Sequence, residues 1–267
     1  MLNAGRRPKY LEKVITMNKQ PQFRIPKSIP DLTEFFQEEM QKAGAALVGF
    51  ADLRVLETRP FSELPVGVAI ALEFDDPYLA RNPGTSEADP RYIEAYYRNG
   101  RRLDPVVDKG VEILRAEGYT AWGYGSETFF DRQGQDMNPE AYLTSLYQHK
   151  TTATLSGLGW IGRMGVLVTP RFGPHVWLAT IITDAPFVAA EPLTESHCGS
   201  CQKCRDACPA TAITGASWQR GMTRADLVDI KKCQSHRRKR GQLAGTPMCG
   251  LCLAACPFGK KAGAQLG

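Results

Sequence analysis

The sequence predicts a layered α/β (α+β) domain followed by a small cysteine-rich module. Helical and strand-like periodicities alternate between about residues 31 and 190, which is typical of helices packed over a sheet. All eight cysteines lie after residue 197. A chain of 267 residues with 43% hydrophobic content is long enough for one large core and a second, smaller unit. We therefore expect a tail over 1–30, the core domain over 31–190 and the module over 191–267.

The core domain is expected to open with a helix and two strands. Asp31 is the predicted N-cap of the helix, which should stop near Gly44. Its apolar residues recur at helical spacing: Leu32, Phe35, Phe36 and Met40. Short apolar stretches then predict strands at about residues 46–51 and 66–74.

Four further elements are predicted before the cysteine-rich module. Asp104 and Pro105 have the character of an N-cap and a first helical residue, and the helix they open should end at Gly118. The elements expected after it are a strand, a helix and a β-hairpin, over residues 119–124, 139–155 and 166–183.

The first four cysteines have the spacing of a bacterial ferredoxin. They spell C-x2-C-x2-C-x3-C-P, formed by Cys198, Cys201, Cys204, Cys208 and Pro209. In this pattern three thiolates bind one [4Fe-4S] cluster and the fourth binds a second cluster. Cysteines gathered at one end of a chain indicate metal binding rather than disulfides distributed through a small secreted fold.

A second cysteine run lacks its first ligand. Its last three ligands and the following proline are Cys249, Cys252, Cys256 and Pro257. Thr246 stands where the first ligand would fall, so Cys233 is the cysteine left to complete the set. The expected ligand sets are Cys198, Cys201, Cys204 and Cys256 for one cluster, and Cys208, Cys233, Cys249 and Cys252 for the other. Paired C-x2-C units also form zinc sites, but zinc requires neither the C-x3-C-P ending nor the crossing ligand.

Composition argues against a membrane protein. The longest apolar stretches are strand-sized and well short of the ~20 residues that a membrane helix needs, so we expect a cytoplasmic protein. Arg6 and Arg7 resemble a twin-arginine signal, but no apolar region of sufficient length follows them. The net charge is +5, and the densest basic run predicts a solvated face or a docking surface for an acidic redox partner or a phosphate backbone: Lys231, Lys232, Arg237, Arg238, Lys239 and Arg240.

A glycine-rich segment lies between the predicted helix and hairpin. It reads SGLGWIGR over residues 156–163, follows Lys150 and Ala153, and precedes Thr183-Asp184-Ala185-Pro186. In this order, and followed by the double-cluster cysteines, these motifs resemble the epoxyqueuosine reductase and reductive dehalogenase superfamily over about residues 47–258. By residue chemistry alone, a loop packed by its glycines and tryptophan is the simpler interpretation.

The resemblance implies a nitroreductase-like core domain and a bound cobalamin that receives electrons from the clusters. The residues that it implies for the corrinoid are Gly157, Leu158, Gly159, Trp160, Ile161 and Gly162. A low-potential electron donor such as ferredoxin or flavodoxin would reduce the clusters. The protein would contribute binding, orientation and a tuned potential, while the cofactor carries the chemistry.

Two departures from the epoxyqueuosine reductases weaken a tRNA substrate. Leu143 stands where those enzymes carry a proton-donating aspartate. The sequence also looks like a short form without their helical-repeat extension, since it stops ten residues after Pro257. Reductive dehalogenases use a tyrosine as the acid, so Tyr142 and Tyr147 are candidate catalytic donors. His149 is another candidate, because imidazole titrates near neutral pH.

Three functions are left open by the sequence. The leading hypothesis is an iron-sulfur oxidoreductase that delivers electrons to a corrinoid, either to reduce a small substrate or to reactivate the corrinoid itself. The second is a tRNA epoxyqueuosine reductase, favoured by the basic run. The third is a ferredoxin-type electron carrier without catalysis. Nucleotide-driven chemistry is unsupported, because the sequence has neither a Walker motif nor a G-x-G-x-x-G fingerprint after a strand.

Overall fold

The computed structural model of the protein describes residues 28–57, 63–84, 89–125, 149–244 and 248–259. Its strands are β1 (Leu47–Asp52), β2 (Val66–Glu73), β3 (Ala121–Tyr124), β4 (Trp160–Ile161), β5 (Leu167–Val168) and β6 (Val176–Thr183). Its helices are α1 (Ile29–Lys42), α2 (Pro77–Arg81), α3 (Pro90–Ala116), α4 (His149–Leu155), α5 (Lys203–Asp206), α6 (Arg224–Leu227), α7 (Ile230–Ala244) and α8 (Leu251–Ala254), with a short 3-10 helix at Leu53–Val55. Four strands form an antiparallel sheet in the order β1-β2-β6-β3, and β4 pairs with β5 in a second sheet.

Alternation along the central strands divides the core into layers. Val68 and Ile70 of β2 are buried on the face that α1 and α3 cover, together with Phe36. Gly67 points to the other face, where a Cβ would lie only 2.7 Å from the Thr152 side chain of α4. Helices thus cover both faces of the sheet, because successive residues of a strand point to opposite sides. The predicted α+β layering is confirmed, and the three expected strands at 46–51, 66–74 and 119–124 are found within two residues of their limits.

The first helix begins before its predicted N-cap. Ser28 is the cap, and its Oγ accepts a hydrogen bond from the backbone N–H of Asp31 at 3.3 Å. Pro30 occupies the first turn, where the N–H that proline lacks has no intrahelical partner. Asp31 is therefore a first-turn residue rather than the cap. The predicted stop is confirmed, since Gly44 adopts φ +109° just after the C-cap.

The predicted start of the second helix is wrong. A single helix, α3, runs from Pro90 to Ala116, with Asp89 as the N-cap that accepts a hydrogen bond from Arg91 N at 2.8 Å. Asp104 and Pro105 lie inside this helix. Proline removes one intrahelical hydrogen bond, but packing against the sheet holds the helix together on both sides of it. The buried residues that do so are Leu103, Val106 and Val107.

The predicted β-hairpin is also wrong. β5 pairs with β4, with Val168 opposite Trp160, whereas β6 pairs with β2 on one edge and β3 on the other. A strand with a partner on each edge has no backbone groups left for a third neighbour. Between β5 and β6 the chain keeps only a single bridge, from Thr169 to Gly173.

The C-terminal module consists of short helices joined by turns. It shares a hydrophobic core with β4 and β5, in which Trp160 and Val168 are buried with Trp218 and Leu227. The division of the chain near residue 190 stays a prediction. The tail over 1–27, the predicted helix before His149 and Thr246 lie outside the described residues. Within the part of the chain that the structure describes, no helix combines the length and apolar character required to span a membrane.

Candidate iron-sulfur site

Four cysteines from both runs line one cavity. They are Cys198, Cys201, Cys204 and Cys256, and the cavity is completed by Gly162, Arg163, Met164, Pro257 and Phe258. The fold brings Cys256 from the second run to the three cysteines of the first run. This is the grouping expected where the two runs exchange a ligand. The structure therefore brings together the first predicted ligand set, while the ligand roles themselves stay a prediction.

The second group of cysteines is organised around α7. Asp229 caps this helix by accepting a hydrogen bond from Lys232 N at 3.0 Å, which sets Cys233 in the first turn. Burial raises the pKa of the Cys233 thiol, and the nearby thiols of Cys208 and Cys249 add to the shift. The cysteine that is separated from both runs is thus carried to them by a capped helix.

The cysteine environment fits iron-sulfur clusters. Burial raises the pKa of Cys252 to about 12 and that of Cys256 to about 11, and neighbouring thiols add to both shifts. Closely spaced, enclosed thiols of this kind release their protons when they bind metal as thiolates. The backbone N–H of Ala212 also points at Sγ of Cys208 at 3.4 Å, as expected of a group that tunes a cluster.

The glycine-rich segment packs between β5 and the first cysteine group. A Cβ on Gly159 would lie 2.3 Å from the carbonyl oxygen of Val168, and a Cβ on Gly162 would lie 3.7 Å from Sγ of Cys198. Gly159 therefore serves a close approach to a neighbouring strand. Gly162 belongs to the wall of the cysteine cavity.

The tryptophan of this segment is enclosed by aromatic side chains. Trp160 is 3% exposed, stacks on His197 with ring centroids 5.0 Å apart, and meets the Phe258 ring edge-on. Its indole N–H is buried without an acceptor among the residues that the structure describes. A corrinoid on the segment from Gly157 to Gly162 stays a prediction, and this N–H is a group that a ligand oxygen would satisfy.

Arg163 is a site residue that the sequence patterns did not reveal. This arginine follows Gly162 directly, and its guanidinium donates to the carbonyl oxygens of Gly199, Cys201 and Gly215. It therefore ties the glycine-rich segment to the loop that carries the first cysteines. The sequence contains an indication of this role, because a basic residue directly follows the glycine-rich stretch.

The predicted proton donors are only partly within the described structure. Nδ1 of His149 lies 2.9 Å from Oγ1 of Thr180 in β6, and desolvation lowers the pKa of His149 to about 4. The imidazole is therefore neutral near pH 7, contrary to the expectation that it titrates there. Tyr142 and Tyr147, together with Leu143, lie outside the described residues.

Lys150 titrates nearer to neutral pH than His149. Its Nζ donates to the carbonyl oxygen of Gly165 at 2.8 Å. Burial lowers the pKa of Lys150 to about 8, and the positive charge of Arg224 adds to the shift. A partly buried ammonium group therefore lies beside the turn that follows Gly162.

The basic run forms one helix with two different faces. Arg240 is 2% exposed and donates to the carbonyl oxygens of Pro83 and Gly84, so the expectation of a solvated face is wrong for this residue. The exposed basic face of the helix consists of Lys231, Lys232, Arg238 and Lys239. Because a helix turns by about 100° per residue, these four side chains lie within about a third of its circumference. Cys233 lies on the opposite side of α7.

Comparison with known proteins agrees with the double-cluster arrangement. Residues 197–259 match the family model of a 4Fe-4S double cluster binding domain, which decides in favour of clusters over zinc. Tetrachloroethene reductive dehalogenase from Sulfurospirillum multivorans is 34% identical over 261 residues, covering 86% of this chain and 50% of that protein. Epoxyqueuosine reductase from Bacillus subtilis is 28% identical over 202 residues, covering 72% and 47%. The chain thus spans about half the length of these curated relatives.

Solved structures extend the similarity across the core domain. A catabolic reductive dehalogenase in complex with 3-bromo-4-hydroxybenzoic acid has a TM-score of 0.65 at 20% identity, covering 88% of this chain and 32% of that one. An epoxyqueuosine reductase with a tRNA stem loop has a TM-score of 0.54 at 20% identity, covering 87% and 66%. At these identities the likeness establishes the fold. Fold, motif order and double-cluster module together show that the chain belongs to the superfamily that contains the reductive dehalogenases and the epoxyqueuosine reductases.

Proposed function

We propose that the protein is an iron-sulfur oxidoreductase that passes single electrons through two [4Fe-4S] clusters to a bound corrinoid, cobalamin. The reduced corrinoid either reduces a small substrate or is itself the molecule that the protein reactivates. One observation carries the proposal: Gly162, the last residue of the segment that the resemblance assigns to the corrinoid, lines the cavity of the first cysteine group. A solved dehalogenase of similar fold, with a TM-score of 0.63, is described as B12-dependent, which supports a corrinoid here.

The residues of the chain have separate tasks in this proposal. The eight cysteines hold the clusters, which supply one-electron transfer, and cobalamin supplies a cobalt centre that accepts those electrons. Trp160 donates its buried N–H to an oxygen of the ligand. Lys150 holds a proton beside the turn after Gly162, whereas His149 remains neutral and contributes hydrogen bonding. Tyr142 and Tyr147 stay the proposed proton donors.

Binding of cobalamin tests the proposal directly. The purified protein, reconstituted anaerobically with iron and sulfide, should change the visible spectrum of added cobalamin in a saturable manner. The Trp160→Phe variant keeps an aromatic ring at this position but loses the indole N–H, so its affinity should fall by up to about tenfold, as expected for one hydrogen bond. Trp122→Phe, on β3, is the matched control and should bind as wild type. No spectral change at saturating cobalamin would remove the corrinoid from the proposal.

An acidic low-potential protein is the proposed electron donor. The exposed basic face of α7 carries positive charge on the side opposite Cys233, so a partner docked there is separated from the second cysteine group by one helix, about 10 Å thick. Ferredoxin or flavodoxin has the chemistry required. Since the thiolate ligands must stay available for iron, a reducing compartment such as the cytoplasm is the proposed location.

Epoxyqueuosine reduction on tRNA is the second candidate function. Several relatives carry this name, and the exposed basic face of α7 has the charge to contact phosphates. Leu143, in place of the proton-donating aspartate, counts against it. Complementation distinguishes the candidates: restored queuosine in a strain lacking the reductase supports the tRNA enzyme, and no restoration eliminates it. Reversible reduction of the clusters without cobalamin binding would instead indicate a ferredoxin-type carrier.

A further inference from the structure

A buried arginine adjoins the first cysteine group. Arg163 is 8% exposed, and it donates to carbonyl oxygens of Gly199 at 2.5 Å, of Cys201 at 3.0 Å and of Gly215. These acceptors are neutral. Among the residues that the structure describes, no carboxylate forms an ion pair with it. Removal of a full charge from water costs several kcal/mol unless an opposite charge compensates, so this position calls for an anion.

The cavity beside Arg163 is where a compensating negative charge would lie. Arg163 lines the same cavity as the four cysteines of the first group. An iron-sulfur cluster bound by four thiolates is negatively charged, and its charge is spread over sulfur atoms at the cavity wall. We infer that Arg163 is the counter-charge of the cluster held by Cys198, Cys201, Cys204 and Cys256, and that it raises the reduction potential of that cluster. The inference rests on the ligand set of the proposed function.

The effect follows from the charge change on reduction. One electron from the donor enters the cluster, no bond is broken, and the cluster becomes more negative by one unit. A fixed positive charge stabilises the reduced form more than the oxidised form, and the effect is strong where water is excluded. The potential of the cluster beside the glycine-rich segment is thereby raised, which favours electron flow toward that segment.

Arginine also supplies a geometry that lysine lacks. Its planar guanidinium presents several N–H donors in a fixed fork. Two of them meet the carbonyl groups of Gly199 and Cys201 in the cysteine loop, and a third meets that of Gly215. Lysine would retain the charge but not this fork. Charge and positioning are therefore separable by substitution.

Redox titration of the reconstituted protein, followed by electron paramagnetic resonance, tests the inference. Arg163→Gln should lower the reduction potential of one of the two clusters. At a fixed solution potential, the ratio of reduced to oxidised cluster should fall at least tenfold, which is equivalent to about 59 mV for one electron. Arg163→Lys should keep the wild-type potential. Arg237→Gln is the matched control. The positive charge of Arg237 interacts electrostatically with the Cys233 thiol of the second cysteine group, so its removal should shift the reduction potential of the other cluster.

The outcomes separate the charge from the hydrogen bonds. Loss of one cluster from Arg163→Gln, with Arg163→Lys at the wild-type potential, also supports the inference. An equal fall of the reduction potential in Arg163→Gln and Arg163→Lys would show that the hydrogen bonds set the potential, and would overturn the inference. An equal shift in the potentials of both clusters in Arg163→Gln would also overturn it. Wild-type protein with fewer than two clusters would contradict the proposed function instead, and this is read from iron content before any titration.

Discussion

Gly159 offers the sharpest test of why the glycine-rich segment contains glycine. A methyl group at this position would lie 2.3 Å from the carbonyl oxygen of Val168, about 1 Å closer than ordinary contact. The opposing atom belongs to the backbone of β5, so no side-chain rotation relieves the overlap. Overpacking costs about 1 to 3 kcal/mol, and separating the short β4–β5 pair loses hydrogen bonds worth about 1 kcal/mol each. The Gly159→Ala variant should therefore be destabilised by about 3 to 5 kcal/mol.

Thermal unfolding of the reconstituted protein measures this effect. A destabilisation of this size should lower Tm by about 6 to 20 °C, at 2 to 4 °C per kcal/mol for a domain of this size. Gly118→Ala is the complementary control: Gly118 has φ +87° and its added methyl group would meet no atom within 4 Å, so only backbone strain of about 1 kcal/mol is expected. The expected ranking is the same with and without cobalamin. Wild-type Tm in Gly159→Ala, with cobalamin binding lost, would show that this glycine makes room for the ligand and refute the packing argument.

Three further predictions concern the clusters, His149 and the donor surface. Cys233→Ser should lose one cluster and about half of the iron, as should Cys198→Ser for the other cluster, and full iron content in either variant would contradict the ligand sets. The unfolded chain protonates His149 near pH 6.5, before the folded protein does near pH 4, so stability falls as pH drops through this window. His149→Gln should therefore lose about 2 kcal/mol less than wild type between pH 7 and pH 5, or roughly 4 to 8 °C in Tm, and identical pH profiles would refute the shifted pKa. Reversal of Arg238 and Lys239 to Glu should slow cluster reduction by an acidic ferredoxin or flavodoxin at least about tenfold at low salt, with dithionite and the distant Lys42→Glu control unaffected; weakened tRNA binding with unchanged reduction would assign the face to RNA.

Local chemistry in the sequence was sufficient to predict the two cysteine sets and to locate several helices and strands. The C-x2-C-x2-C-x3-C-P spacing indicates clusters because ligand geometry is encoded by neighbouring residues, and the vacancy at Thr246 directs attention to Cys233. Gly44 ends α1 where a left-handed residue is required. Strands with continuous apolar residues were located within two residues.

Tertiary structure decided the features that depend on contacts between residues far apart in the sequence. Pro105 locally predicts a helix start, yet α3 continues through it because its buried residues pack on the sheet. The predicted hairpin between β5 and β6 does not form because β2 and β3 already occupy both edges of β6. The low pKa of His149 and the burial of Arg240 arise from residues far away in the chain. The sequence by itself predicted which thiol groups should bind iron, since the ligand patterns are short. Only the folded chain decided that Arg163 lies buried beside the first cysteine group, because burial and charge compensation are properties of the assembled interior.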